Sequence, residues 1–142
     1  VTTEGGIDVK RNHNILGKII GRLKKNNIRV SLFVDSSIDQ IKLAKQLGSD
    51  IIEIHAGEFC RKVHDRSDFQ KELNTIKEAA SFAESIGLET HVGHGVTFDS
   101  IVELSKINEV REFNIGHFII SESLFLGLET TIKKMKTLIA EG

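Results

Sequence analysis

The chemistry-bearing residues of this 142-residue chain are six histidines, one glutamate inside an apolar run, and two glycine-histidine pairs. His55, His91, His94 and His117 fall at or just past the C-terminal ends of short apolar runs that read as strands; His13 and His64 lie elsewhere. Strand ends gathered on one rim are where both common α/β architectures build their sites. Imidazole changes charge near neutrality, so four such side chains at equivalent positions point to proton transfer. A single histidine so placed would read as structural; the clustering carries the argument.

Glu53 interrupts Ile51-Ile52-Glu53-Ile54-His55, and strand alternation puts it on the same face as His55. A carboxylate in such a run costs several kcal/mol unless paired or hydrogen-bonded. It either forms a buried ion pair or faces a site, where it would orient or stabilise a cationic centre; the second reading is favoured. Gly93-His94-Gly95 and Gly116-His117 end the last two strands. Glycine lets backbone N–H groups approach a ligand, and a following helix N-terminus favours an anion, so phosphate is the expected ligand. His55, His91, His94, His117 and Glu53 include metal-ligand types, but His91-x-x-His94 straddles a strand end and its rings need not converge. A catalytic metal is the less favoured reading of this set. Cys60 stands beside Arg61 and Lys62, cations able to depress a thiol pKa, and reads as an incidental loop thiol.

The elements that must position these groups alternate along the chain. Strands are expected at 28–35, 50–55, 88–92 and 112–115, and Val1–Gly6 reads as the last residue of a preceding strand with its exit loop. Helical periodicity runs through Ile15–Leu23, Ile41–Leu47, Phe69–Ile86, Ile101–Ile107 and Leu126–Leu138. Ser37 with Gln40 gives a capping-box pattern, Ser67 and Thr97 are candidate caps, Ser121 or Ser123 opens the last helix, and Gly48 and Gly87 are stops. The order (β)αβαβαβαβα implies parallel strands buried on both faces. A five-stranded doubly wound sheet fits the length; a (β/α)8 barrel, of about 250 residues, would make this roughly its second half.

Composition narrows the classes. The chain carries 19 Lys+Arg against 20 Asp+Glu and is formally −1 at pH 7, which argues against nucleic acid or a membrane surface as main partner. Hydrophobic residues at 39% and charged residues at 27% suit a globular domain, and no apolar run approaches a membrane span. One cysteine cannot staple the fold, so a cytoplasmic location is the default. There is no proline, and the chain opens at Val1 without a methionine.

Five segments in order, Val1–Gly6, Val30–Asp35, Ile52–Gly57, Gly93–Gly95 and Asn114–His117, closely resemble the pyridoxine 5′-phosphate synthase family. The resemblance covers the whole chain. It implies a (β/α)8 TIM barrel, of which residues 1–142 supply the C-terminal half of a single domain, from the end of the fourth strand through the last helix. It implies condensation of 1-deoxy-D-xylulose 5-phosphate with 3-amino-2-oxopropyl phosphate, releasing inorganic phosphate and water without metal or cofactor. By resemblance His94 is the proton donor and Glu53 the transition-state-stabilising carboxylate. Gly95, Gly116 and His117 bind the amino-ketone phosphate, and Thr2 contacts substrate from a closing loop; His55, by its place on the rim, is a candidate supporting residue. The implied partners are the N-terminal half of the barrel and further copies in a homo-oligomer, an octamer. The family's first three strands, with further catalytic residues, have no counterpart in this sequence, so the chain alone is expected to be inactive. Two other readings stay open: a metal-assisted hydrolase or aldolase-type barrel on the same His/Glu rim, and a non-enzymatic doubly wound domain binding a phosphate-bearing ligand.

Overall fold

Four short β-branched and aromatic runs become the strands of one sheet: β1 (Ser31–Val34), β2 (Ile51–His55), β3 (Glu89–Gly93) and β4 (Val110–Asn114). The computed structural model describes residues 4–142; Val1, Thr2 and Thr3, and with them the expected end of a preceding strand, lie outside the described residues. All pairings are parallel and the spatial order equals the chain order, β1-β2-β3-β4. Each crossover therefore steps the same way around, as in a barrel wall. A doubly wound sheet reverses its order at a switch point, and this sheet has none among the described residues, so that alternative is overturned. The fold is α/β, with the parallel arc of a (β/α)8 barrel.

Among the described residues seven helices flank the strands: α1 (His13–Lys25), α2 (Ile38–Gln46), α3 (Gly57–His64), α4 (Gln70–Ser85), α5 (Phe98–Leu104), α6 (His117–Leu126) and α7 (Leu128–Glu141). Strand alternation sorts the two faces of the sheet. Leu32, Val34, Ile52, Ile54, Thr90 and Val92 are buried beneath the helices, against Ile41, Ala44, Leu73, Ile76, Ala80 and Ile101. Burying such side chains contributes about 1.5–3 kcal/mol each and holds the wall together. The opposite face carries Phe33, Glu53, His91 and Glu112 in one register row. The register shifts by one residue between β3 and β4 at Thr90/His91, which aligns Glu112 with His91 and Asn114 with Gly93. Without that shift every β4 side chain would change faces.

Local expectations fared unevenly. Gly48 and Gly87 do close α2 and α4 at φ +90° and +73°. Thr97 forms a reciprocal capping box with Ser100. Ser37 stands at the N-cap of α2 without a side-chain bond, and Gln40 does not reach back to it but accepts the Val9 N–H at 2.7 Å. Ser67 does not cap α4, which begins after Phe69. The segment around Cys60, read as a loop, is helix α3. The single last helix is two, opening at His117 and broken at Gly127.

Candidate active site

Glu53 occupies the middle of the apolar strand β2 because strand alternation turns it to the polar face while Ile52 and Ile54 enter the core. Its carboxylate is half-buried and accepts a hydrogen bond from Asn114 Nδ2 at 2.8 Å. Burial pushes its pKa above the ordinary 4.5, more than the Asn114 bond and the nearby histidines pull it down. Gly93, on the neighbouring strand β3, is what makes room: a Cβ there would overlap Glu53 Oε1. Asn114 was missed in the sequence. Its signal was its place as the last residue of β4, one strand beyond Gly93 in the same row.

His94 follows β3 directly and holds a left-handed backbone at φ +69°, which a non-glycine residue adopts only under tertiary constraint. Its ring lies 4.8 Å from that of His55 and 6.2 Å from that of Phe33, centroid to centroid. His55 ends β2, and burial, then the neighbouring His94, lowers its pKa against the opposing pull of Asp35. The His55 and His94 rings pack with their planes tilted by 52°, and no cluster arranged to hold a metal is found among the described residues.

Glu53 and His94 both open into a cleft of about 720 Å³ at the C-terminal ends of the strands. Phe33 and Glu4 form one wall. Gly95, Val96 and Thr97 from the loop after β3, and Asn114 through Phe118 with Ser121, form the other. Gly116 is the N-cap of α6 and His117 its first residue, so the unpaired N–H groups of that helix's first turn lie at the cleft edge. The space around Gly116 is open: an added Cβ would meet nothing within 4 Å. An N-terminus of this kind attracts anions.

The structure thus brings Glu53, His94, Gly95, Gly116 and His117 to one cleft. His55 sits behind His94 and lines a separate cavity of about 220 Å³ with Asp35 and Glu72. Thr2 lies outside the described residues. His91 is not a rim residue: it is the third residue of β3, almost fully buried, with Nε2 2.8 Å from Glu89 Oε1 and Nδ1 3.6 Å from Glu112 Oε1. Cys60 is a buried helical thiol, and burial raises its pKa to about 11, opposite to the depression its cationic neighbours suggested.

Comparison with known proteins gives the chain's relatives. The chain is 42% identical over 141 residues to a protein of Roseobacter denitrificans named pyridoxine 5′-phosphate synthase, covering 97% of this chain and 56% of the relative. Proteins of the same name from a Sulfurihydrogenibium species and from Prochlorococcus marinus are 43% and 41% identical, with 98% and 100% of this chain covered. The chain spans 56% and 59% of the lengths of those two relatives. Residues 1–141 match the family described as "Pyridoxal phosphate biosynthesis protein PdxJ". By that match and these relatives, the chain belongs to the PdxJ family of pyridoxal phosphate biosynthesis proteins.

Proposed function

We propose that this chain is the C-terminal half of a pyridoxine 5′-phosphate synthase barrel, and that its cleft condenses 1-deoxy-D-xylulose 5-phosphate with 3-amino-2-oxopropyl phosphate. The single observation that carries the reading is the shared cleft. A half-buried carboxylate and a conformationally constrained histidine open into the same space as an unobstructed helix N-terminus. Joining an amine to a carbonyl, enolisation and loss of water each require protons moved near neutrality, which suits His94 as donor. Cationic nitrogen intermediates arise on that route, and Glu53 meets them with a carboxylate held by Asn114. Gly116, His117 and Gly95 bind the amino-ketone phosphate at the start of α6 and the loop after β3. Thr2 contacts substrate from the segment ahead of Glu4. No metal or organic cofactor takes part. Further copies of the protein complete a cytoplasmic homo-oligomer, a reading supported by the apolar side chains exposed on α6.

The test supplies both substrates to the protein expressed from its native reading frame and follows pyridoxine 5′-phosphate and released phosphate. Product formation supports the reading, and His94→Asn should lower kcat by about 10²–10⁴ with folding intact. Failure to form the product from both substrates overturns it.

A further inference from the structure

Asp35, His55 and His94 occupy the ends of three successive strands: the first residue after β1, the last of β2 and the first after β3. Asp35 Oδ1 lies 3.4 Å from His55 Nδ1, and the His55 ring packs against that of His94 with centroids 4.8 Å apart and planes tilted by 52°. We propose that Asp35 and His55 form a positioning pair that sets the orientation of His94 for proton transfer. This rests on the reading of His94 as the proton donor.

Three features make the arrangement a built one. The Asp35 carboxylate, although exposed, is tethered: Oδ1 also accepts the Gly6 N–H at 3.2 Å, and a Cβ on Gly6 would collide with the Asp35 backbone nitrogen. Phe33 stands edge-on to His55, with ring centroids 5.4 Å apart and planes at 87°, and also touches His94. Gly57, first residue of α3, closes over both rings; a Cβ there would sit 2.7 Å from His55 Nε2 and 3.1 Å from His94 Cδ2. Phe33 and Gly57 therefore bound both histidine rings.

The physical need for such a pair follows from the backbone of His94. In its left-handed conformation the residue belongs to neither strand nor helix, so no regular element sets its ring, and neighbouring side chains must. Asp35 beside Nδ1 places the His55 proton on that nitrogen, fixing the tautomer as a carboxylate commonly does for a working histidine. A neutral His55 spares the pair the repulsion of two imidazolium rings in contact. Burial and the proximity of His94 both hold His55 toward the neutral form, in keeping with this role.

The experiment measures kcat and KM of the intact protein with Asp35→Ala, Asp35→Asn, His55→Phe, the Asp35→Ala/His55→Phe double variant and His94→Asn. His55→Phe keeps a ring in the same space without a partner for Asp35. Asp35→Ala and His55→Phe should each lower kcat about tenfold with KM within about twofold, the scale of a misoriented reacting group. The double variant should be no slower than either single one, because the two act as a unit. Asp35→Asn, which retains an acceptor for Gly6 and His55, should recover kcat to within about threefold of wild type. Losses that multiply in the double variant, or wild-type kcat in Asp35→Ala, overturn the proposal while an inactive His94→Asn leaves the site reading standing. Wild-type kcat in His94→Asn overturns both. Asp35 is 63% exposed, so its variants carry the test if His55→Phe fails to fold.

Discussion

At the level of single residues, the decisive feature is a carboxylate whose surroundings work against its charge. Glu53 was legible in the sequence because a charged residue inside Ile-Ile-Glu-Ile-His has no solvent to reach. Asn114 and Asp35 were not, since a short polar residue at a strand end has the same signature whether it caps, turns or holds a catalytic group. The raised pKa of Glu53 has a definite sign for stability. The folded state binds its proton more tightly than the unfolded chain, so the site costs nothing at pH below the ordinary 4.5 and destabilises as pH rises through the folded value. Glu53→Gln should therefore melt higher than wild type at pH 7, with the difference shrinking toward zero below about pH 4. A lower melting temperature at pH 7 would contradict this origin of the shift.

Secondary-structure elements were read well where apolar periodicity was strong and poorly where glycine and local polarity decided. The core strands and the helices α1, α2, α4 and α5 follow directly from their patterns. Helix α3 was hidden because its apolar content is confined to a short stretch around Phe59 and Cys60. His91 was read as lying at the end of the run LETHV, but β3 continues to Gly93, so the residue is third of five and its ring is buried in the sheet. The break between α6 and α7 was invisible to periodicity, which continues through it. Gly127 adopts φ +81° and ψ +146°, a combination essentially restricted to glycine, and its N–H and carbonyl bridge the two helices through Ser123 and Thr131. Gly127→Ala should destabilise by about 1–3 kcal/mol, read as a lower denaturant midpoint with unchanged slope. No steric clash confuses that test, because the space around Gly127 is open.

For the molecule as a whole, the sheet order settles the architecture that length alone left open. Sequential parallel strands make an arc whose polar row faces one way and whose apolar side chains face the helices. Periodicity could not display this, since the same βα alternation serves both wound sheets and barrels, and only the family resemblance chose between them. Among the described residues no helix is long and apolar enough to cross a membrane. Even so, α6 buries none of its residues and exposes Leu124 and Phe125 at 81% and 84%. Contiguous apolar surface of this kind drives association. The 142-residue chain should sediment as species larger than a monomer at micromolar concentration, and Leu124→Glu with Phe125→Glu should shift it toward the monomer. An unchanged distribution would rule out α6 as the contact.

The most direct test of the account is the steady-state rate of pyridoxine 5′-phosphate formation by Glu53→Gln in the protein expressed from its native reading frame. The side chain keeps its shape and its reach to Asn114 but loses its charge. Loss of about 10²–10³ in kcat with KM within about threefold is the predicted result, as for removal of one preorganised electrostatic partner of a transition state. A kcat equal to that of wild type would contradict the assignment of this cleft as the seat of the chemistry.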